Sequence, residues 1–553
     1  MNDADRPNPI ESQPMATPLR RRSGWLLLAL YGLLLSVAWV MASPVGASPD
    51  EEAHIAYAWG TVTGQTVVGE HLVTIPVGRT ATQVQVPNKL LQHPDSVCYR
   101  FRAGTPVTQC TPIPSDNMQF VKQASYMSRY PPLFYAVEGV ALRAATTVDL
   151  SGPVVLYGAR LVAAVLSLLA IGYALFLLLR RFADNMVLLA TLIALPATAW
   201  FLAASVNPNG LEIAAAFLLA AGVLSVRVDH ATGDRSVAAV LAVPLGALLL
   251  AWTRPLSWVW ASLILALLLV PTGPSDGDSW RRRIPARRLG AVTLTTTALV
   301  LTSAIIWFGY ALQIRASESA AHTDRAPWTG LKAVGGVILL LLHSGTIVTE
   351  QVGMFGWLDT PLPSLALLFW ISVAGVAVAM WLVGRNTLVP RWSIGAVLGL
   401  GYLVALLDEF IGTWGWQGRY LLPVTAAVWV FAVPGLADGI ERLAALRRSV
   451  PWMLFVLMAV NALSVVWFLF RNMYGVKGYG LRLPPAPLPV GTPSWTPPLG
   501  LGVVLGLVTL AFVCGLVAVW ALRPLHSSDA TLRPVTARKP VAPGQNAGRP
   551  SAR

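Results

Sequence analysis

Long apolar runs recur along the chain, separated by short charged interruptions. Runs of about 17–25 apolar residues match the length of a helix crossing a bilayer. Twelve such spans are expected, near 24–43, 153–179, 185–204, 210–226, 236–253, 255–271, 289–311, 363–383, 392–410, 420–437, 451–470 and 499–522. The first run follows Arg20-Arg21-Arg22 and is too long for a signal-peptide core, so it reads as an uncleaved anchor. Thr253-Arg254-Pro255 divides 236–271 into two spans, because a proline restricts the residue before it. The stretch 331–348 is apolar but glycine-rich, and is assigned to a loop on the charge argument below.

Composition agrees with the pattern. Of 553 residues, 55% are hydrophobic and 12% charged, whereas soluble domains carry about 25% charged residues. This excludes an array of soluble domains, a disordered chain, collagen and a disulfide-rich secreted scaffold. The expected fold class is an all-α polytopic membrane protein with about twelve transmembrane helices.

The net charge of +14, from 40 Lys+Arg against 26 Asp+Glu, decides the sides. With twelve spans, Arg180-Arg181, Arg227, Arg235, Arg281-Arg282-Arg283, Arg287-Arg288, Arg385, Arg391, Arg442 and Arg447-Arg448 all fall in connections on one side. Cytoplasmic loops carry such an excess, so both termini are placed in the cytoplasm. Merging 236–271, or making 331–348 a span, would move the later basic loops to the other face. The basic balance is therefore topological, and nucleic acid is not an expected partner. Residues 1–23 and 523–553 read as disordered cytoplasmic tails, and 24–522 as the membrane domain. Its outer loops are 44–152, 312–362, 471–498 and a short one at 411–419. Cys98 and Cys110 share the first outer loop. Paired there in an oxidising compartment, they would close a loop worth about 3 kcal/mol in the chain-entropy treatment; two free loop thiols are the alternative.

Unusual polar residues collect at the outer boundary. Directly after the first span comes Ser48-Pro49-Asp50-Glu51-Glu52-Ala53-His54-Ile55-Ala56-Tyr57. One reading is a helix start, with Ser48 as cap, Pro49 at the first position and Glu51 closing a capping box. The other is chemistry: three carboxylates, with His54 one turn from Asp50, make a base or metal constellation. Arg129-Tyr130-Pro131-Pro132-Leu133-Phe134-Tyr135 is either an interfacial aromatic turn or part of a site. Arg160 lies within the second span, where an arginine either snorkels or serves function. Asn207-Pro208-Asn209, Arg254-Pro255, Phe355-Gly356-Trp357-Leu358, Asp408-Glu409 and Trp416-Gln417-Gly418-Arg419-Tyr420-Leu421-Leu422-Pro423 complete the set. Four arginines (Arg129, Arg160, Arg254, Arg419) at the depth of an acidic cluster describe an anion site beside a carboxylate, because the guanidinium fork suits phosphate.

Together these motifs resemble a bacterial polytopic membrane family of unknown function with a PDEPAH-type signature, similar in organisation to the GT-C superfamily of glycosyltransferases. The resemblance runs over about residues 25–470. Glu52 stands where the signature usually has Pro, and Asn209 where an Asp is expected. It implies a GT-C-like fold and inverting transfer of a sugar from a polyprenyl-phosphate donor to a cell-envelope glycan or glycolipid, on the extracytoplasmic face. On this basis Asp50 and Glu51 are the expected catalytic or metal-holding pair (Mg²⁺ or Mn²⁺), with Glu52 and His54 in support. Arg419, Arg254, Arg160 and Arg129 would take the phosphate, and Tyr130, Tyr135, Trp357, Trp416, Gln417 and Tyr420 would wall the substrate. Two rivals use the same residues: a transporter or flippase for a lipid-linked saccharide, and a non-catalytic accessory subunit. A carrier, however, places its binding groups near the midplane and often in repeats.

Overall fold

A computed structural model describes residues 18–66, 72–75, 79–91, 97–107, 110, 118–272, 284–320, 330–342, 344–385, 388–411, 416–477, 480–481 and 495–522. The chain opens with α1 (Pro18–Ala42), then α2 (Glu51–Thr63), and a three-stranded antiparallel sheet of β1 (Leu72–Ile75), β2 (Arg79–Pro87) and β3 (Phe120–Ser125). Next come α3 (Leu133–Thr147), α4 (Gly152–Leu179), α5 (Asp184–Ala194), α6 (Ala197–Ala203), α7 (Pro208–Thr232), α8 (Val237–Ala251), α9 (Ser257–Ala266) and α10 (Gly290–Ala320). The second half holds α11 (Leu331–Leu342), α12 (Ser344–Gly353), a hairpin of β4 (Met354–Phe355) and β5 (Thr360–Pro361), α13 (Ser364–Val383), α14 (Arg391–Ile411), α15 (Leu422–Arg442) and α16 (Val450–Tyr474). A two-residue hairpin, β6 (Val476–Lys477) with β7 (Gly480–Leu481), and α17 (Leu501–Ala521) end it.

The protein is an all-α polytopic membrane protein. Every expected span has a helix, but the twelve are not equal. Among the described residues eight helices are long and apolar enough to cross a membrane, or nine with the bent pair α5–α6. The pair turns by 72° at Pro196, where proline removes an N–H and forces a break. Val237–Ala251 and Ser257–Ala266 are apolar but shorter, while α14 runs the full Arg391–Ile411. The stretch 331–348 falls across two short helices, α11 and α12, rather than one span.

The helix α7 lies at the centre, packed on α4, α8, α9 and α15. Asn207 caps it, its side-chain oxygen accepting the Asn209 N–H at 3.0 Å, and Pro208 occupies the first turn. Small residues let its neighbours approach closely: a Cβ on Gly222 would press Ala242, and one on Gly246 would meet the Leu219 backbone at 2.8 Å.

Two expected boundaries are corrected. Residues 18–23 are helical rather than part of a disordered tail, because Arg20 donates to the Trp520 carbonyl at 2.7 Å and Arg21 pairs with Asp184 at 3.0 Å. These bonds gather the start of α1, the start of α5 and the end of α17 at one end of the bundle. Arg471–Tyr474, expected in a loop, finish α16. The rest of the expected tails, 1–17 and 523–553, and most of the loop 482–494 lie outside the described residues. Cys98 and Cys110 form a disulfide with Cα atoms 5.5 Å apart, and Cys514 is free and buried in α17.

Candidate active site

The turn between α1 and α2 sets the polar end of the bundle. The capping-box expectation fails here: the helix begins at Glu51 and its N-cap is Asp50, which makes no side-chain capping bond. Ser48 Oγ is buried without a partner. Asp50 instead has φ 61°, ψ 11°, a left-handed conformation that Asp tolerates better than most residues. It aims the three consecutive carboxylates at three different partners.

Glu51 is 2% exposed and meets Arg160, itself 1% exposed, in a two-pronged pair at 2.6 and 2.7 Å. Glu51 also accepts the Gly46 N–H at 3.2 Å and the Val206 N–H at 3.4 Å, while Arg160 donates to the Ser43 and Pro44 carbonyls. This knot ties the turn to α4 and to the Asn207 turn, whose side-chain amide donates to the Pro49 carbonyl at 3.2 Å. Two expected site residues are thereby engaged in structure: Glu51 has both oxygens taken, and all three guanidinium nitrogens of Arg160 donate to Glu51 or to carbonyls. Glu52 pairs with Arg100 at 3.0 and 3.2 Å, partly exposed. Asp50 accepts a hydrogen bond from the Tyr126 phenol at 2.5 Å.

The expected metal pair does not fit either. Asp50 and Glu51 diverge, the Glu51 oxygens are held by a guanidinium, and no group of three or more His, Cys, Asp or Glu side chains collects among the described residues.

What the fold does bring together is Asp50, His54, Tyr130, Tyr135, Arg254, Arg419 and Tyr420. His54 is 3% exposed, with Nδ1 2.8 Å from the Tyr135 hydroxyl and its ring stacked on that phenol. Burial holds its pKa down to about 3; the Asp50 charge opposes this, and the Arg254 and Arg419 charges add to it. At neutral pH His54 is therefore an uncharged imidazole that senses all three groups. Tyr57 donates to the Tyr130 carbonyl at 2.9 Å and meets the Tyr135 ring edge-on at 4.4 Å. These contacts lock the Tyr-Pro-Pro turn onto α2. Burial, and then the nearby Asp50 charge, raise the Tyr126 pKa far above its ordinary value, so its phenol remains a donor.

The two deep arginines differ in their company. Arg254, in the turn between α8 and α9, pairs with Glu212 at 3.1 Å and lies 4.4 Å over the Tyr420 ring and 5.8 Å from that of Tyr130. Ser257 holds the other Glu212 oxygen at 2.5 Å. Arg419 is 6% exposed, 5.5 Å over Tyr420, and has no carboxylate within ion-pair distance among the described residues; its Nε has no partner. Gly418 places it: a Cβ there would strike the Ile347 carbonyl, and its N–H donates to Glu350 at close range. Gln417, with a buried and unpartnered Oε1, and Trp416, 5.6 Å from Tyr420, flank the same turn.

Two further expected residues, Arg129 and Trp357, take part in tryptophan–backbone hydrogen bonds. The Arg129 carbonyl accepts from Trp307 at 3.1 Å, and Trp357 donates to the Gly46 carbonyl at 2.9 Å. Sequence reasoning missed Tyr126, Glu212, Ser257 and Glu350. Glu212 had a signal, an acid in an otherwise apolar helical stretch three residues after Asn209; Tyr126 had none.

The class is thus a polytopic membrane protein with a buried polar site at one end of its helices. The chain belongs to the family described as "Predicted membrane protein (DUF2142)", which matches residues 33–428. A comparison with curated proteins gives no match. Among solved structures, the chain is similar to ArnT from Cupriavidus metallidurans bound to undecaprenyl phosphate, with 15% identity, 90% of this chain and 76% of that one covered, and a TM-score of 0.40. It is also similar to the Archaeoglobus fulgidus oligosaccharyltransferase tethered with an acceptor peptide (11% identity, 83% and 56% covered, TM-score 0.36). A third is AglB of the same archaeon in complex with an inhibitory peptide and a dolichol-phosphate (12%, 82% and 56%, 0.38). The chain spans just over half the length of the archaeal enzymes. Likenesses of this size add no weight to a reading of activity.

Proposed function

We propose that this protein is an integral-membrane glycosyltransferase. It moves a sugar from a polyprenyl-phosphate donor to a cell-envelope glycan or glycolipid on the extracytoplasmic face, with inversion. The observation that carries the reading is Arg419: a buried guanidinium without an ion-pair partner, in the same electrostatic neighbourhood as Asp50. Burying an unpaired charge is costly, and an incoming phosphate would satisfy it with two parallel hydrogen bonds. The Cys98–Cys110 disulfide supports the outer placement, since such bonds persist in oxidising compartments.

In this scheme Asp50 takes the proton of an acceptor hydroxyl, and the hydroxyl oxygen attacks the anomeric carbon. The bond from that carbon to the phosphate oxygen breaks on the opposite side. The phosphate keeps the electron pair, and Arg419 stabilises the charge that develops there. Tyr126 orients Asp50, neutral His54 and Tyr135 form the floor, and Arg254, neutralised by Glu212, fixes Tyr130 and Tyr420 as walls.

The test is Asp50→Asn in membranes supplied with polyprenyl-phosphate-linked sugars. The variant is expected to insert at wild-type levels and to lose transfer by about 10²-fold or more, the usual scale of a missing general base. Unchanged transfer removes Asp50 as the base. A flippase would instead leave transfer intact and accumulate an unfinished lipid-linked saccharide on the cytoplasmic leaflet when the protein is deleted.

A further inference from the structure

Around the turn that carries Asp50, two loops meet that the transfer scheme does not use. One is the disulfide loop, where Phe101 has φ 58° and is 70% exposed. The other joins β4 to β5, where Leu358 has φ 60°. Left-handed backbone is expensive for such side chains and persists only where the surroundings enforce it. Here they do. Arg471 donates to the Tyr99 and Arg102 carbonyls on either side of Phe101, and pairs with Asp359, next to Leu358, at 2.7 Å. The Tyr99 hydroxyl donates to the Val45 carbonyl at 3.0 Å, and Trp357 is pinned to Gly46.

The result is a rigid constellation at the rim of the site. The Phe101 and Trp357 rings lie 5.1 Å apart and 63° to one another, so Phe101 is braced at an angle without being covered. Arg100 lies 4.5 Å over Trp357 and holds Glu52, two residues along the chain from Asp50. An open aromatic face beside a partly exposed carboxylate–guanidinium pair is suited to a saccharide. The C–H face of a pyranose carries the partial positive charge that an aromatic face attracts, while Glu52 and Arg100 offer acceptors and donors to neighbouring hydroxyls. A lipid surface fits less well, because Glu52 would face anionic headgroups.

Resting on the transferase reading above, we infer that Phe101, with Trp357, Arg100 and Glu52, is a saccharide-binding platform that holds the acceptor glycan so that one hydroxyl reaches Asp50. It gives the carboxylate that departs from the family signature, Glu52, a task of its own.

The experiment compares wild type, Phe101→Ala and Phe101→Leu. Transfer is measured against graded amounts of envelope glycan and glycolipid extracted from a strain lacking the protein. Stabilisation by undecaprenyl phosphate is measured in parallel. Loss of the aromatic face should raise the extract needed for half-maximal transfer about tenfold in both variants. The maximal rate and the undecaprenyl-phosphate stabilisation should be kept. Wild-type behaviour of both variants overturns the platform and leaves the transferase standing. Loss in Phe101→Ala with full activity in Phe101→Leu shows an apolar lipid anchor, and also overturns it. No transfer by wild type at any amount of extract, with no stabilisation, overturns the transferase reading itself.

Discussion

Arg160 and Arg419 are both buried at the polar end of the bundle, and both were expected to bind phosphate, yet they sit in opposite circumstances. Arg160 is fully engaged at all three nitrogens: a carboxylate takes two of its five N–H donors and two carbonyls take two more. Arg419 keeps an unpartnered Nε and has no carboxylate against it among the described residues. The same division separates Glu51, locked in a knot, from Asp50, held by one neutral phenol. A charged residue in a membrane protein thus has two uses that burial alone does not distinguish. On the proposed reading the distinction lies in the partners: the charges of Arg160 and Glu51 are met by each other, and that of Arg419 is left for a ligand.

Breaking the completed side should have the largest effect on stability. Glu51→Ala strands the Arg160 guanidinium and the Gly46 and Val206 N–H groups, and should cost about 3–5 kcal/mol. Thermal unfolding in detergent would show this as a large drop in midpoint and a low yield. Replacing the pair with Leu and Met should recover only part of it, since the Ser43 and Pro44 carbonyls stay orphaned. Full recovery would mean that the knot contributes little beyond its own charges.

A smaller effect belongs to His54, on the open side. Its folded pKa of about 3 lies below the ordinary 6.5, so the unfolded chain takes up a proton that the folded chain does not. The associated stability is complete above pH 6.5 and is lost as pH falls toward 3, at about 1.4 kcal/mol per pH unit. Between pH 6.5 and 5 this amounts to about 2 kcal/mol. Unfolding of wild type and His54→Gln across this range checks it: the substituted chain should have a shallower acid slope, and equal slopes would show that His54 is not the group responsible.

The helices were largely legible, because a bilayer demands apolar length and little else competes with that signal. What the pattern did not reveal is that the 185–204 run is broken at Pro196, or that the helices within 236–253 and 255–271 are shorter than full spans; apolar composition persists where helical hydrogen bonding does not. The acidic motif was legible as a cluster and illegible as a division of labour. Asp50, Glu51 and Glu52 are consecutive, but their partners Tyr126, Arg160 and Arg100 lie 76, 109 and 48 residues away. No local rule links them, and a capping box read from Ser48 to Glu51 was overridden once Arg160 claimed the glutamate. Glu212 illustrates the converse: the acid expected at Asn209 is supplied one helical turn later, on the arginine of a different turn.

Undecaprenyl phosphate binding by Arg419→Ala tests the contrast most directly. With the buried charge removed, and only the favourable field on Glu350 lost with it, the ligand-free variant should unfold at or near the wild-type temperature. The rise in midpoint that undecaprenyl phosphate gives the wild type should disappear. A variant that is destabilised without ligand, yet stabilised by undecaprenyl phosphate as fully as the wild type, would show that Arg419 serves structure and that the phosphate goes elsewhere.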